Sequence, residues 1–421
     1  MSDMTPDQKR AAEAIKDCIA QRGTMALRGF AGTGKTYTLG HSLPSGADVL
    51  LLAPTHKALA QAQERLPQCH GSTTASALGM RLRRRDGVES MVQVREHRIR
   101  GYDAVIVDEA SMVDTRTYQM ITEACASQGC ALIWVGDPAQ LPPVGEDESP
   151  VFARVQHQAV LSQIIRQDEG NPIIDASLYV RGCLERGERP TLAALGEYAG
   201  GVMGIQRAPN QAAIAHSVLD AVQRGMDCRG IAYTNRAVSL TARYVVDALH
   251  PDGSLPFVEG DQIVMGRPHD QGRVKNNEEG IVIRAWESDG ELWVRAEMVR
   301  AGAVNMRVPY DSGAHHAEIK KAENQRNALA RKIKYTSDPQ QAHLLRARQQ
   351  DVVAELAALK DEYADVRYTY SSTAHKSQGS TLDAAVIDWP DLNKVTDTAT
   401  FCRMLYVAIT RPSEYLLIID Y

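Results

Sequence analysis

Short, continuous apolar runs recur along the chain, and small or polar residues follow most of them. A run that is apolar at every position is typical of a strand buried on both faces, as in a parallel sheet. Residues 3–22, which precede the first run, carry apolar residues at helical spacing. We therefore predict an α/β protein built on parallel sheets. The segments are residues 25–27, 48–53, 104–108, 131–135, 230–235, 384–388 and 415–419, and the segment 230–235 ends in polar residues.

Three segments depart from this rhythm. Residues 81–100 open with a basic run followed by Asp86-Gly87, which predicts a small β-hairpin whose basic side is either a solvated face or a nucleic-acid contact. Residues 257–309 alternate, which predicts a small β-barrel. Residues 315–365 predict an antiparallel helical hairpin, either an interaction arm or a structural brace. The alternating residues are Ile281, Ile283, Leu292, Val294, Ala296 and Met298, and those at helical spacing are Leu345, Val352, Leu356, Leu359 and Tyr363.

Composition narrows the class of protein. The 421 residues suggest two to four domains. A formal net charge of −5 excludes a chain that binds nucleic acid through overall basicity, so any such site must be a local groove or patch. Seven scattered cysteines without a C-x-x-C pair indicate reduced thiols and a cytoplasmic location. The N-terminus does not resemble a signal peptide, and no apolar run is long enough to span a membrane, so we expect no membrane association.

The segment GFAGTGKT, residues 29–36, fits the phosphate-loop pattern G-x-x-x-x-G-K-[ST] without a mismatch. Its glycines let the backbone turn tightly and direct several N–H groups at one anion. Lys35 can reach the β- and γ-phosphates, and the Thr36 hydroxyl can hold Mg²⁺. The helix expected after the loop directs its positive end at the phosphates. The pattern predicts a site for ATP and Mg²⁺.

Two adjacent carboxylates, Asp108 and Glu109, end the apolar run at 104–108. Isolated charge is costly to bury, so this position argues for a function. In phosphate-loop hydrolases, such a strand-end aspartate holds Mg²⁺. The neighbouring glutamate can orient and deprotonate the attacking water. We assign these roles to Asp108 and Glu109.

Four further polar residues are candidates for the same site. Gln8 has an amide that could read an adenine edge, or it is an exposed helix residue. Gln140 follows the run at 131–135 and is either a sensor of the γ-phosphate or a surface residue. Arg166 and Arg411 are either arginine fingers that reach the γ-phosphate from a neighbouring domain or surface ion-pair residues.

Polar residues at the ends of other predicted strands suit a nucleic-acid backbone. In open α/β sheets, ligands bind beyond the carboxyl ends of the strands. Thr55, His56 and Lys57 follow the run at 48–53, and Asn235 ends the run at 230–235. Residues 371–381 combine small hydroxyls with His375 and Lys376. Such residues contact phosphates readily, although each segment could also be a plain strand-to-helix turn.

Taken together, these motifs resemble those of a superfamily 1 helicase over almost the whole chain. GFAGTGKT is similar to motif I, VIVDEAS to motif II, GDPAQLPPVG to motif III, TAHKSQGSTLD to motif V and YVAITR to motif VI. The spelling of motifs III and V is closest to the RecD and Dda branch, superfamily 1B, whose members move 5′ to 3′ on single-stranded DNA. The chain length and the early P-loop resemble the compact Dda type.

The resemblance implies two RecA-like domains with a hairpin "pin", an SH3-like barrel and a helical tower. We expect RecA-like domain 1A at 1–80 and 101–150, and the pin at 81–100. RecA-like domain 2A is expected at 151–256 and 367–421, and the barrel with its tower at 257–366. The expected partners are single-stranded and tailed duplex DNA, with replication or single-strand-binding proteins as candidates. We expect a monomer.

The resemblance also assigns residue roles. Lys35, Glu109, Gln140, Arg166 and Arg411 are expected to be catalytic, and Thr36 and Asp108 to hold the metal. The expected nucleotide-binding set is Gln8, Gly29, Gly32, Thr33, Gly34, Lys35, Thr36, Tyr37 and Gly379. The expected DNA-binding set is Thr55, His56, Lys57, Thr73, Asn235, Thr373, His375 and Ser377.

Two departures from the family pattern keep alternatives open. Thr73-Thr74-Ala75-Ser76 lacks the histidine of the usual Thr-Ile-His-Ser, and residues 81–100 contain no Phe, Tyr or Trp, whereas the Dda pin carries an aromatic residue at its tip. A translocase that unwinds poorly is therefore one alternative. The others are a P-loop enzyme that is not a motor, such as a kinase or regulatory NTPase, and a DNA-stimulated accessory subunit of a larger recombination or repair complex.

Overall fold

The computed structural model describes residues 4–85, 88–163, 170–250 and 255–421. The chain divides into two compact units. One comprises Met1–Arg81, Gln93–Val245 and Ser371–Tyr421, and the other comprises Leu82–Val92 and Val246–Tyr370. Within the described ranges no helix is both long and apolar enough to cross a membrane, and every cysteine is a buried free thiol.

The first part of the chain alternates strands and helices, as the apolar runs predict. Thr5 caps the first helix, and Pro6 occupies its first turn, where a missing N–H is tolerated. The elements are α1 (Pro6–Ala20), β1 (Thr24–Gly29), α2 (Lys35–Ser42), β2 (Val49–Ala53), α3 (His56–Arg65), β3 (His70–Thr73), α4 (Thr74–Ala77), β4 (Met80–Arg85), β5 (Val88–Gln93), β6 (Ala104–Val107), α5 (Thr115–Gln128), β7 (Ala131–Gly136), α6 (Pro150–Arg154) and β8 (Gln158–Leu161).

Six of these strands form a parallel sheet in the order β3-β2-β6-β7-β1-β8. Strand β2 illustrates why a continuous apolar run predicts such a sheet. Val49, Leu51 and Ala53 pack in one core, while Leu50 and Leu52 pack in another on the opposite face. Because both faces are covered, no position along the strand can be polar.

A second parallel sheet follows in the same unit, in the order β16-β10-β17-β18-β9. Its core is formed largely by the inner faces of α7 and α15. With the first sheet, this arrangement fits two RecA-like domains. The elements are α7 (Pro172–Arg186), α8 (Leu192–Gly196), β9 (Met203–Arg207), α9 (Ala212–Gln223), β10 (Cys228–Ala232), α10 (Asn235–Leu249), and, after an insertion, β16 (Ser371–Thr373), α13 (Ala374–Ser377), β17 (Leu382–Asp388), α14 (Trp389–Leu392), α15 (Thr398–Ile409) and β18 (Pro412–Asp420).

The insertion contains an antiparallel sheet in the order β14-β13-β12-β11-β15 and two long helices. The Ala364 N–H donates to the Arg307 carbonyl at 2.8 Å, which brings the chain before β15 beside β14. Asp338 caps the second helix, where its side chain accepts the Gln340 N–H. The elements are β11 (Gln262–Met265), β12 (Glu279–Ser288), β13 (Glu291–Met298), β14 (Gly302–Val308), α11 (Ser312–Tyr335), α12 (Pro339–Glu362) and β15 (Val366–Tyr368).

The alternating pattern defines the inner face of β13 but not of β12. Leu292, Val294, Ala296 and Met298 are all buried, whereas Ile281 and Ile283 are exposed and the intervening Val282 is buried. The isoleucines of β12 therefore mark its outer face, because alternation gives the period of a strand but not which side meets the core.

A separate two-stranded sheet pairs β4 with β5. Its two strands lie at the place where the sequence predicts a hairpin. The Asp86-Gly87 turn itself lies outside the described residues.

Candidate active site

The segment that follows β1 has the backbone of a phosphate-binding loop. Gly32 and Gly34 have φ values of +82° and +80°, which glycine adopts at little cost. A Cβ on Gly29 would lie 2.5 Å from Thr33 Oγ1, so only glycine fits there. The loop leads directly into α2, which begins at Lys35. The backbone N–H groups at the start of this helix therefore face the loop.

The Lys35 side chain bends back across the loop. Its Nζ donates to the carbonyl oxygens of Gly29 at 2.7 Å and Phe30 at 2.9 Å. The Thr33 hydroxyl also donates to Phe30, at 2.9 Å. These contacts hold one positive charge at the loop, within reach of a phosphate group.

The predicted carboxylates lie just beyond β6. Glu109 has a φ of +52°, and its N–H donates to Asp108 Oδ1 at 2.9 Å. Burial raises the pKa of Asp108. Burial, and next the Asp108 charge, raise the pKa of Glu109, while Arg411 and Lys35 oppose that rise. A carboxylate with a raised pKa beside a phosphate loop can accept a proton from water near neutral pH.

Gln140 and Arg411 approach this cluster from two different elements. Gln140 is 5% exposed, and within the part of the chain that the structure describes its Oε1 has no hydrogen-bond partner. The Arg411 guanidinium is buried, donating through Nε to Val407 at 3.0 Å and through one terminal nitrogen to Ser380 at 3.1 Å. A buried amide oxygen without a partner is costly, which points to a ligand at this position.

A cavity of about 920 Å³ joins these groups, with walls from both parallel sheets. Gly29 and Thr33 belong to the same loop but are not among the residues that line this cavity. Arg65, at the end of α3, also lines it, and its charge lowers the pKa of Asp108; nothing in the sequence singles it out. The predicted residues that line the cavity are Gln8, Gly32, Gly34, Lys35, Thr36, Tyr37, Asp108, Glu109, Gln140, Gly379 and Arg411.

Gln8 is a buried residue rather than an exposed helix residue. Its Oε1 accepts from the Thr5 N–H at 3.1 Å, and its Nε2 donates to the Thr33 carbonyl at 3.2 Å. The same amide thus caps α1 and ties that helix to the phosphate loop. Tyr37, in contrast, is exposed, with its ring 4.1 Å from that of His41. Gly379 has a φ of +71°, which favours glycine.

The polar residues expected to contact DNA follow the carboxyl ends of the two outermost strands on one side of each sheet. Strands β3 and β2 form one edge of the first sheet, and β16 and β10 form one edge of the second. At or just beyond the end of each of these four strands, a threonine hydroxyl accepts the N–H of the third residue of the next helix. These pairs are Thr55 with Ala58, Thr73 with Ser76, Thr234 with Ala237 and Thr373 with Lys376, at 3.1, 3.4, 3.2 and 3.3 Å.

Thr234 is a member of this set that the sequence analysis missed. Its hydroxyl also bonds to the buried Asp391 carboxylate at 2.9 Å. The sequence does contain a signal for Thr234. It lies between an apolar run and a predicted helix, as Thr55 does.

The remaining DNA-binding candidates differ in exposure. Asn235 and His375 are exposed, and His56 and Lys57 are partly exposed. Ser377 is buried, and its hydroxyl donates to the Ala374 carbonyl at 2.9 Å. Arg166 lies outside the described residues.

Comparison of the sequence with known proteins also indicates a DNA helicase. An AAA domain model matches residues 3–199, and a UvrD-like helicase C-terminal domain model matches residues 368–419. The ATP-dependent DNA helicase Dda of Enterobacteria phage T4 is 23% identical, and the match covers 97% of each chain. The RecBCD enzyme subunit RecD of Mycolicibacterium smegmatis is 31% identical over 38% of this chain and 30% of its own length.

Solved structures resemble the fold over nearly the full length. Pif1 helicase from Bacteroides, solved in complex with ADP-AlF3 and single-stranded DNA, superposes with a TM-score of 0.56 at 18% identity. That match covers 99% of this chain and 92% of the Pif1 chain. By contrast, the chain spans only about a third of the length of two matching curated relatives, one of which is RecD.

The phosphate loop, the strand-end carboxylates and the two parallel sheets define a P-loop nucleoside triphosphatase. The paired domain matches and the full-length similarity to Dda narrow this class further. Together these matches support an ATP-dependent DNA helicase of the superfamily 1B type, similar to Dda and RecD.

Proposed function

We propose that this chain hydrolyses ATP to move 5′ to 3′ along single-stranded DNA and to unwind the duplex ahead. One observation carries the proposal: a single cavity unites Lys35 and the Asp108–Glu109 pair from the first sheet with Arg411 from the segment between α15 and β18. A site completed by two sheets can be assembled and released as they close and open, which couples hydrolysis to movement.

The geometry supports a distinct task for each residue at the nucleotide. Lys35 and the N–H groups of the loop bind the phosphates, and Gln8 lies where an adenine edge could be read. Glu109 accepts a proton from the attacking water, while Gln140 and Arg411 stabilise the charge of the transferred phosphoryl group. Arg166 is proposed to contribute a second arginine.

Thr36 and Asp108 fit a Mg²⁺ ion. A hydroxyl and a carboxylate are oxygen ligands of the kind this ion prefers, and both line the cavity beside the phosphate loop. When bound, the ion would neutralise charge on the β- and γ-phosphates.

We propose that the DNA backbone crosses the carboxyl ends of four strands, two on each sheet, where a threonine caps the helix that follows. Small hydroxyls and N–H groups there suit phosphates and read no base, as a motor on any sequence requires. The pairing of two equivalent positions per sheet supports a path along both. Lys57 and His375 would add charge and hydrogen-bond donors, while the buried Ser377 would act through its backbone.

The accessory elements are proposed to guide the DNA. In this view β4 and β5 form the pin of residues 81–100, and the antiparallel sheet with α11 and α12 forms an SH3-like barrel and tower at 257–366. RecA-like domain 1A would extend past the expected residue 150 to residue 161, because β8 pairs with β1 in the first sheet, and domain 2A would begin after β8. The substrate would be tailed or forked duplex DNA in the cytoplasm, and the enzyme would act as a monomer.

One observation favours a second candidate, a translocase that separates strands poorly. Residues 81–100 contain no Phe, Tyr or Trp to stack on the duplex end. Single-turnover unwinding of a 5′-tailed duplex distinguishes the two, because a translocase without a working pin would hydrolyse ATP on DNA and release few strands.

The first test is the rate of ATP hydrolysis with and without single-stranded DNA at low salt, since phosphate contacts weaken steeply as salt rises. A large stimulation is expected. A rate of ATP hydrolysis that is the same with and without DNA would contradict a DNA motor. It would favour a P-loop enzyme that is not a motor.

A further inference from the structure

Tyr406 connects the second sheet to two loops of the first. It lies on α15, is 2% exposed, and its ring belongs to the core of the second sheet. Its hydroxyl accepts the N–H of Ala31 in the phosphate loop at 3.2 Å and donates to Asp137 Oδ2 at 2.8 Å. One oxygen atom thus contacts two loops that lead into the nucleotide cavity.

Asp137 passes this contact on to Gln140. The Asp137 carboxylate is fully buried, and its other oxygen accepts the Ala139 N–H at 2.9 Å. One turn earlier on α15, Arg403 donates to the carbonyls of Pro138 and Gln140, the latter at 3.0 Å. Helix α15 therefore holds the segment 137–140 by hydrogen bonds from two of its residues. That segment ends at Gln140, whose side chain lines the cavity.

The same helix leads to Arg411. It ends at Ile409, and the Arg411 Nε bonds back to the Val407 carbonyl. We propose that Tyr406 is a positioning residue for ATP hydrolysis, which holds the phosphate loop and Gln140 in register with Arg411. This inference rests on the proposed function, since it concerns the same reaction.

The hydroxyl is suited to a fixed role. Burial, and next the Asp137 charge, keep the pKa of Tyr406 well above its ordinary value, so the proton that bonds to Asp137 stays in place. Replacing Tyr406 by Phe would keep the ring in the core but leave a buried N–H and a buried carboxylate oxygen each without one partner. Unsatisfied groups of this kind shift until they find another.

The test compares Tyr406→Phe with Tyr421→Phe. Tyr421 makes a similar bond, to Asp388 at 3.1 Å, but at the end of the chain and away from the cavity. We expect Tyr406→Phe to lower kcat for ATP about tenfold, the order of one hydrogen bond to a charged group. The KM for ATP and the affinity for a fluorescent ADP analogue should match those of Tyr421→Phe, and all rates are measured below the unfolding midpoint of each variant.

A second variant guards against a general loss of folding. Arg403→Gln removes the hydrogen bonds from Arg403 to segment 137–140 and leaves Tyr406 in place. It should also lower kcat for ATP hydrolysis while leaving the KM for ATP nearly unchanged. If both variants keep kcat within about twofold of the control, the positioning role is wrong. A fall in affinity and unfolding midpoint that accounts for the whole loss of activity would also overturn it, because Tyr406 would then be structural.

The rates are measured with and without single-stranded DNA. Wild-type activity that DNA does not stimulate would contradict the proposed motor function. A lower basal kcat in Tyr406→Phe would still support the positioning role in that case, so the two failures can be told apart.

Discussion

At the scale of single residues, Lys35 holds the positive charge nearest the phosphate loop. We expect Lys35→Ala to lower ATP hydrolysis by at least about a hundredfold, because no other lysine lines the cavity within the described residues to replace its charge. The measurement is steady-state hydrolysis with saturating single-stranded DNA. Lys9→Ala, an exposed change on α1, is the control, and substantial activity left in Lys35→Ala would refute the assignment.

Glu109 should be needed for turnover and not for binding. Glu109→Gln keeps the shape of the side chain but cannot accept a proton from water, so a complex with ATP should accumulate. Binding of a fluorescent ATP analogue should stay close to the wild-type affinity while hydrolysis stops. A collapse of affinity would instead make Glu109 a structural residue.

The raised pKa of Glu109 also predicts a pH effect on stability. The folded pKa lies above the value of about 4.3 for an unfolded glutamate, so this group costs stability as pH rises from about 4 through its folded pKa. Glu109→Gln lacks that cost and should unfold at a temperature higher by on the order of a few °C at pH 8. The difference in unfolding temperature between Glu109→Gln and the wild type should vanish near pH 4. A difference that grows as pH falls would mean that the folded pKa of Glu109 is lowered and not raised.

At the scale of elements, the start of α3 is proposed to meet a DNA phosphate through Lys57. Losing one phosphate contact to a single strand should reduce the slope of log affinity against log salt by about 0.7. Lys57→Ala is therefore expected to weaken binding at low salt equally for all base sequences. Fluorescence anisotropy at several salt concentrations measures this, again with Lys9→Ala as control, and an unchanged slope would remove Lys57 from the path.

Elements set by local pattern could be predicted from the sequence, and those set by distant contacts could not. Val49–Ala53 is apolar throughout because both faces of its strand are covered. GFAGTGKT is recognisable because the spacing of its glycines, lysine and threonine is set by the loop itself. The outward direction of Ile281 and the role of Thr234 depend on partners far along the chain, such as Asp391. The joint contact of Tyr406 with Ala31 and Asp137 is of the same kind.

At the scale of the whole molecule, direction of movement is the sharpest prediction. Duplexes with a 5′ or a 3′ single-stranded tail, otherwise identical, are mixed with enzyme and ATP under single-turnover conditions. The proposed polarity requires strand release from the 5′-tailed duplex alone. Release from the 3′-tailed duplex alone would reverse the polarity, and ATP hydrolysis on both without release would favour the poorly unwinding translocase.

The second sheet is split in the sequence, and this affects how the protein can be synthesised. Strand β10 ends at residue 232, but its neighbours β16 and β17 begin only at residues 371 and 382. At ordinary translation speeds β10 waits on the order of ten seconds for them, its edges unpaired as the ribosome makes the insertion. Arg411 follows β16 and β17 in the sequence and is added later still. A nascent chain therefore carries its phosphate loop well before Arg411, which completes the lining of the nucleotide cavity, has been made.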